Sequence, residues 1–515
     1  MIYNIILLTN KENRQIMKIR SIGSFFLMAA IGMMTVVSLS SCEDILGEWD
    51  KPAGSGLADP QNPQTTTTIT LNLDGNLVNN DMIYLLSGDV AINIATITEG
   101  APVTITSSDE NVITIDADGN IVPVGPGTAT ITITVIENSE YTGATETVTI
   151  IVGRKVSLGD ETGSEFVAQD GDQITGTAPN TMHLTIPDGA LVRLKDATIK
   201  PTDGAATAAI VCEGDATLIL EGANIANGME QKAGVQVGPE GKTLTIDGTG
   251  SLEAQCVITS AANYLKYSAA GIGSSENESC GCIIINNGTI TAKGGSGSAI
   301  GSGKKGSCQD ILINGGTIRA EVVNAQNSTG AGIGAGVSGS CGNITITGGD
   351  VKATTNTTST IGQPYAAGIG ASGGQSSCGD ITISGGIVHA ESVLLGTSGA
   401  TGGGAGIGCG YKSSTDTQVC GNITISGGNV KAYASKNASG IGTGHSIGTG
   451  YVNIGNINIT GGKVYARKAG STASLADIWR GTLSVVEGTV YVDPNVTWNG
   501  TKGYTPSGTG YNRVP

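Results

Sequence analysis

A fourteen-residue motif recurs along the second half of this chain, between about Ser279 and Ala466. Its clearest copy, residues 340–353, reads SCGNITITGGDVKA, and a short Ile-Gly phrase precedes each copy. Successive copies begin at intervals of 28 to 42 residues. Recurrence at such a period is typical of solenoids, because one unit cannot bury its apolar face alone and must stack on copies of itself.

The alternation of residues inside the motif predicts β-strands. Ile344, Ile346, Val351 and Ala353 alternate with polar residues, which is the period of a strand with one buried face. The glycine pair at 348–349 suits the bend between two such strands. No amphipathic 3.6-residue period is present, so a helical repeat is excluded. The sequence therefore predicts an all-β chain with a right-handed parallel β-helix of about nine or ten coils, each with three short strands.

Insertions concentrate at one corner of the predicted coil. From the closing alanine of a copy to the next Ile-Gly isoleucine, the interval grows from 8 residues after Ala292 to 17 after Ala390. It then shortens to 9 residues after Ala432. Loops that lengthen and then shorten along a solenoid usually gather on its working face. We therefore expect ligand contacts near this corner.

The start of the chain resembles a bacterial lipoprotein signal. A basic stretch ending at Arg20 precedes an apolar run at 25–37, and positions 39–42 read LSSC. A run this short, between a basic start and small residues, is typical of a signal peptide and not of a membrane span. The lipobox resemblance implies that residues 1–41 are removed and that the sulfur of Cys42 is lipidated.

The residues after this cysteine resemble those of a particular class of lipoproteins. Glu43 and Asp44 are similar to the acidic export tag of surface lipoproteins in Bacteroidetes-type bacteria. The resemblance implies a lipid anchor in the outer membrane, facing the cell exterior, with no other membrane contact. Residues 42–68, rich in Pro, Gly, Gln and Thr, are predicted to form the lipidated cysteine and a flexible linker.

A separate all-β module is predicted at residues 69–152. Runs such as 129–135 alternate in the manner of sandwich strands and are separated by turn residues. The stretches SSDENVITID at 107–116 and GNIVPVGPGTA at 119–129 resemble the group-2 bacterial Ig-like family, BIG2. The resemblance implies a small β-sandwich that serves as a spacer or an adhesion unit.

Residues 153–495 are predicted to form the β-helix, and residues 496–515 a C-terminal tail or cap. Strand-like phrases without the full motif occur at 191–194 and 243–248. From about 180 to 466 the chain resembles bacterial carbohydrate-binding β-helices that attach to cell-wall polysaccharide. Because the repeated motif is a packing motif, the resemblance bears on the fold directly and on the ligand only by association.

Charge and cysteine placement exclude some functions. The formal net charge of −16 disfavours nucleic acid as a partner, since phosphate binding needs a basic face. Five of the ten cysteines occupy the same slot of the motif: Cys280, Cys308, Cys341, Cys378 and Cys420. We predict an inward column of thiols that pack as small hydrophobes. One column offers a line of ligands and not a tetrahedron, so neither a metal site nor a cofactor is predicted, and a calcium requirement stays open.

Two outward positions carry the candidate binding residues. The first outward column holds Thr291, Arg319, Lys352, His389, Lys431, Tyr465 and Tyr491. The second outward column holds Lys293, Glu321, Thr354, Glu391, Tyr433 and Arg467. Cations can pair with uronate carboxylates, and tyrosine rings can stack on sugar rings. We interpret these columns as a polysaccharide-binding stripe, against the alternative of an ordinary solvated strand face. The residues assigned to the stripe are Arg319, Lys352, His389, Lys431, Tyr433 and Tyr465.

Catalysis is the main alternative to binding. Asp and Asn recur at one corner, at Asp310, Asn343, Asp380, Asn422 and Asn456. These residues are predicted to be structural, because Asn and Asp tolerate left-handed turns and bond to nearby backbone. Asp310 and Asp380 would lie two rungs apart, about 9.6 Å. That separation is at the far edge of the roughly 6.5–9.5 Å of inverting glycosidases.

The three histidines do not favour an enzyme either. His183, His389 and His445 fall on distant coils, so no histidine pair is predicted. The sequence thus predicts a cell-surface lipoprotein that binds polysaccharide, with no catalytic residues assigned. A polysaccharide lyase or glycoside hydrolase on the same fold, and an adhesin for host protein, remain the alternatives.

Overall fold

The structure is a computed structural model. It describes residues 64–72, 77–79, 82–202, 207–256, 268–324, 329–357, 366–394, 402–411, 417–445, 452–469, 478–479, 483–485 and 490–491. All of these belong to one compact unit, Gln61–Pro515. The predicted signal peptide, Cys42, most of the predicted linker and the C-terminal tail lie outside the described residues. No helix within the described ranges is long and apolar enough to cross a membrane.

A small β-module precedes the solenoid. Its largest sheet has five strands, in the spatial order Leu77–Asn79, Met82–Leu86, Ala144–Gly153, Gly127–Val135 and Val103–Ser107. Two antiparallel strand pairs accompany it: Ile69–Leu71 with Ala95–Ile97, and Ile113–Ile115 with Ile121–Pro123. Inward residues of the sheet such as Ile131 and Ile133 are fully buried, and the threonines between them are half-buried. The group-2 Ig-like assignment stays a prediction.

The module begins before residue 69. The backbone N–H of Thr67 donates to Thr142 Oγ1 at 2.8 Å, and Thr65 forms a β-bridge with Tyr141. Residues 64–68, predicted as the end of the linker, are therefore bonded to the module. The rest of that linker lies outside the described residues.

The remainder of the described chain winds into a parallel β-helix whose strands form four stacks. Stack 1 includes the six Ile-Gly phrases and consists of Glu165–Val167, His183–Ile186, Ile210–Cys212, Val235–Gln236, Ile272–Gly273, Ile300–Gly301, Ile333–Gly334, Ile369–Gly370, Ile407–Gly408, Ile441–Gly442 and Ile478–Trp479. Stack 2 includes the four Ser-Cys phrases and consists of Ser279–Cys280, Ser307–Cys308, Ser340–Cys341, Ser377–Cys378, Gln418–Cys420 and Val452–Ile454.

Stacks 3 and 4 carry the two longer phrases of the motif. Stack 3 consists of Ala216–Glu221, Thr243–Gly248, Cys282–Ile285, Ile311–Ile313, Ile344–Ile346, Ile381–Ile383, Ile423–Ile425, Ile457–Ile459 and Leu483–Val485. Stack 4 consists of Ala223–Gly228, Ser251–Cys256, Thr289–Gly294, Thr317–Asn324, Asp350–Thr357, Ile387–Leu394, Asn429–Lys436, Lys463–Ala469 and Val490–Tyr491. Both stacks grow from the first strands of the solenoid, Lys155–Ser157, Gln173–Thr177 and Ala190–Ile199. A short 3-10 turn, Leu158–Asp160, lies between the first two of these.

The parallel β-helix predicted from the repeat is confirmed, and its long parallel ladders are consistent with right-handed winding. Stack 1 has eleven strands, compared with the nine or ten coils predicted. The prediction of three strands per coil is wrong, because the Ser-Cys pairs form a fourth stack of their own. A two-residue strand has no alternation to detect, so the sequence pattern could not separate it.

Side chains of successive rungs meet in register inside the solenoid. Ile346, Ile383 and Ile425 of stack 3 pair in sequence and are fully buried. Burying an isoleucine side chain contributes roughly 1.5–3 kcal/mol, before the entropy of ordering the chain is subtracted. The inner columns of Ile, Val and Ala therefore supply the main stabilisation of a domain that has few aromatic residues.

The predicted column of thiols is confirmed. Its members pair rung by rung in stack 2, and each is at most 6% exposed: Cys280, Cys308, Cys341, Cys378 and Cys420. All nine cysteines in the described residues are free. The Cys341 thiol donates to the Gln309 carbonyl oxygen at 3.8 Å. The Cys308 and Cys378 thiols donate to backbone carbonyl oxygens of the preceding coil in the same way, so the column packs as free thiols.

Candidate functional site

The first outward column is in register along stack 4. Arg319 pairs with Lys352, Lys352 with His389, His389 with Lys431, and Lys431 with Tyr465. Adjacent strands lie about 4.8 Å apart, so these side chains follow the solenoid axis at one residue per rung. The order predicted for the stripe is therefore the order in the fold.

Arg319 is occupied by a neighbouring carboxylate. Its Nη2 donates to Asp350 Oδ2 at 2.8 Å, and its Nη1 donates to Asp350 Oδ1 at 3.2 Å. The same Nη1 also donates to the carbonyl oxygens of Ile318 and Asp350, both at 3.0 Å. A bidentate pair of this kind neutralises the guanidinium and uses its donors locally. Asp350 is the first residue of the strand that also carries Lys352. The stripe prediction did not consider that Asp350 would pair with Arg319.

Lys352 and Lys431 differ from Arg319 in this respect. Among the described residues, neither lysine forms an ion pair within salt-bridge distance. Both are half-buried, and Lys431 Nζ lies 6.0 Å from the centre of the Tyr465 ring on the next rung. That distance is at the outer limit of a cation–π contact. These two ammonium groups are the cations of the first outward column that remain available to a ligand.

The second outward column packs against the first. His389 Nε2 lies 3.2 Å from Glu391 Oε2, a distance at which a protonated imidazole forms an ion pair with the carboxylate. The His389 ring holds the pKa of the Glu391 carboxyl below its ordinary value, against the opposing effect of burial, and the charges of Arg467 and Lys352 add to this. The Glu391 charge is therefore partly compensated by its neighbours.

Tyr433 is the centre of this second column. Its ring meets the His389 ring edge-on, with centroids 5.2 Å apart, and the Arg467 guanidinium carbon lies 4.9 Å from the Tyr433 centroid. Only 7% of Tyr433 is exposed, and Thr354 in the same column is 4% exposed. The column faces outward but is much more buried than a solvated strand face. Arg467, which was not assigned to the stripe, belongs to this cluster.

The corner column of Asp and Asn is structural, as predicted. The backbone N–H of Asn343 donates to Asp310 Oδ1 at 2.7 Å, and that of Asp380 donates to Asn343 Oδ1 at 2.9 Å. The backbone N–H groups of Asn422 and Asn456 continue the ladder in the same way. The amide of Asn343 thus lies between Asp310 and Asp380, and both carboxylates are used to bind backbone.

The histidines are dispersed, as predicted. His183 lies 3.5 Å from Glu165 in the second coil, whereas His389 is in stack 4. His445 packs near the Tyr411 ring, and burial lowers its pKa. Within the described ranges, no group of three His, Cys, Asp or Glu side chains is placed to hold a metal ion.

A polar cleft on stack 2 was missed by sequence reasoning. It has a volume of about 270 Å³ and is lined by Asn277, Glu278, Ser279, Lys305, Gly306, Ser307, Ser338, Gly339, Ser340, Gln375 and Ser377. Ser307 Oγ donates to Ser279 Oγ at 2.7 Å. The sequence feature that could have indicated this cleft is the serine at the start of the motif copies. The cleft lies on a different stack from the cations and tyrosines.

The expectation about the corner insertions is largely outside the described residues. Strands such as Asp350–Thr357 continue beyond the closing alanine of the motif. The segments that follow, 325–328, 358–365 and 395–401, are not among the described ranges. The proximity of these insertions to the two outward columns therefore stays a prediction.

Comparison with known proteins supports the fold. The family described as "Beta helix repeat" matches at residues 283–304 and 423–451, which include strands of stacks 3 and 4. No curated protein and no solved structure matches this chain. The similarity covers two short parts of the chain and describes a repeat, so it bears on architecture and not on a ligand.

Proposed function

We propose that this protein binds polysaccharide, without catalysis, through the outward columns of stack 4. The observation that carries the proposal is the patch made by Lys352, Lys431 and Tyr465. In this patch, Lys352 and Lys431 lie two rungs apart with His389 between them, and among the described residues neither has a carboxylate within ion-pair distance. Lys431 also lies one rung from the Tyr465 ring. Cations attract acidic or hydroxyl-rich chains, and a tyrosine ring offers an apolar face to a sugar.

The spacing suits a linear chain. Residues in the same column recur about every 4.8 Å, so four rungs span roughly 14 Å, or about three sugar units. Exposed charge contacts are worth about 0–1 kcal/mol each and weaken with salt. Binding would therefore depend on several weak contacts repeated along the axis.

A polysaccharide lyase or glycoside hydrolase is the rival function. Hydrolysis would need two available carboxyl groups at a suitable separation. In the corner column, Asp310 and Asp380 bind backbone N–H groups, and Glu391 is engaged with His389. These contacts favour binding over catalysis. An adhesin for host protein would use the corner insertions, and a glycan array on the 43–515 fragment separates it from a glycan binder.

Neutralising the two available lysines should weaken binding. We expect Lys352→Gln with Lys431→Gln to lower the affinity for uronate-containing glycans at low salt by up to about tenfold, the equivalent of two surface contacts. Isothermal titration at two salt concentrations measures this effect. The melting temperature should stay near that of the wild type, because both side chains lie on the outer face.

Lys305→Gln is the matched control, because it removes one exposed cation beside the stack 2 cleft. It should bind as the wild type does. Equal losses in the control and in the double variant would point to net charge and not to this patch. A reducing-end assay run in parallel decides the rival function, since steady release of new chain ends would establish an enzyme.

We propose further that the protein is a lipoprotein of the outer membrane, displayed on the cell exterior. The LSSC sequence before residue 43 and the acidic pair that follows it support this location. Cys42→Ala should release the protein from the membrane fraction, because the sulfur that carries the lipid is removed. Fractionation followed by a carbonate wash measures the release. A variant that stays with the membrane would contradict the anchor.

A further inference from the structure

We propose that Tyr433 and Arg467 form a subsite that binds the carboxylate of an acidic sugar. The inference deepens the proposed polysaccharide binding and rests on it. It assigns a role to Arg467, which lies in the second outward column but was not among the six residues assigned to the stripe, and to the buried hydroxyl of Tyr433. It also specifies that the ligand is an acidic polysaccharide.

Two hydrogen-bond donors in this cluster are buried and lack partners. Tyr433 Oη and Arg467 Nε are shielded from solvent and have no hydrogen-bond partner within the part of the chain that the structure describes. Tyr433 as a whole is only 7% exposed. Buried polar atoms are almost always paired in folded proteins, and an unpaired donor costs about 1–3 kcal/mol. A cluster with two of them is therefore expected to have a partner that the described residues do not supply.

The chemistry of the two atoms indicates what that partner is. The Nε–H of arginine can only donate, and a tyrosine hydroxyl donates readily to an anion. The missing group is therefore an acceptor. Its surroundings favour a negative one, since Lys352 and Arg467 both lie close enough to act on the charge of Glu391, and Lys431 lies on the rung between Glu391 and Arg467. Arginine suits a planar carboxylate better than lysine does, because its donors are fixed in one plane.

The arrangement is rigid enough to orient a ligand. Lys431 and Tyr433 lie two residues apart on one strand, and Tyr465 and Arg467 occupy the same positions on the next. Each cation lies against the tyrosine of its own column on the adjacent rung, Lys431 at 6.0 Å from Tyr465 and Arg467 at 4.9 Å from Tyr433. A sugar stacked near Tyr465 would thus lie within about two residues along the strand, some 6.6 Å, of the proposed carboxylate subsite.

The test compares polygalacturonate with its fully methyl-esterified form, which has the same chain without the charges. Wild-type protein should bind the acid more tightly than the ester. Tyr433→Phe removes only the hydroxyl, so we expect about tenfold lower affinity for the acid with no loss of thermal stability, since none of the described residues bonds to the hydroxyl. Arg467→Gln should abolish the preference for acid over ester. Lys305→Gln serves again as the control and should keep that preference.

The outcomes separate the subsite from the proposed function. Wild-type protein that binds acid and ester equally, or a Tyr433→Phe variant that binds the acid as the wild type does, would overturn the subsite and leave polysaccharide binding intact. Tyr433→Phe with a lowered melting temperature would also count against it, by showing that the hydroxyl has a partner within the protein. Protein that binds neither polymer and no neutral glycan would overturn both proposals.

Discussion

Gly370→Ala should destabilise the β-helix by at least about 2 kcal/mol, even though it adds a single methyl group. Gly370 has φ = 128°, a region that residues with a Cβ rarely adopt. A Cβ at this position would also lie 2.1 Å from the carbonyl oxygen of Gly408 on the next rung. The strain and the clash act on a backbone that stack 1 holds in place on both sides. The midpoint of urea unfolding measures the loss.

A second glycine separates the two causes. Gly241 also has a positive φ, of 84°, but a Cβ there would meet nothing within 4 Å. Gly241→Ala should therefore show only the conformational strain, of about 1 kcal/mol. Equal losses of stability for the two variants would mean that the close approach between rungs adds nothing to the destabilisation by Gly370→Ala. Stack 1 could then expand to accept a methyl group.

The repeat allowed the solenoid and its columns to be predicted. Ile344, Ile346 and Val351 alternate with polar residues, and identical phrases at each copy must stack in register if they are to bury those side chains. The thiol column, the corner ladder and the order of the first outward column all follow from this single constraint. Each of these features depends only on the position of a residue within the repeated unit, and that position can be read from the sequence.

Contacts between columns could not be predicted in the same way. The Arg319–Asp350 pair joins two rungs through side chains whose reach and rotamers depend on their surroundings. The burial of Tyr433 depends on His389 and Arg467, which contact it from neighbouring rungs. A motif position indicates that a side chain points outward, but not how far its neighbours cover it. For this reason the sequence did not indicate that Arg319 would be paired with Asp350, or that Arg467 would belong to the candidate site.

Cys341→Asp should have the other large effect, a loss of about 3–5 kcal/mol. Cys341 is 6% exposed and lies between Cys308 and Cys378 on the adjacent rungs. Its contact with the Cys308 thiol, together with burial, holds the pKa of the Cys341 thiol well above its ordinary value. The site thus favours a neutral group over a charged one. The shift in the urea midpoint at neutral pH measures the cost.

Cys341→Ser is the matched control, because a hydroxyl is close in size to the thiol and can still donate to the Gln309 carbonyl oxygen. It should lose much less stability than the aspartate variant. The column also predicts that a reductant leaves the melting temperature of the wild type unchanged, since its thiols are free. Adjacent strands are about 4.8 Å apart, close enough for neighbouring cysteines to be bridged. A large fall in stability on reduction alone would therefore show disulfides along the column and contradict its assignment as packed thiols.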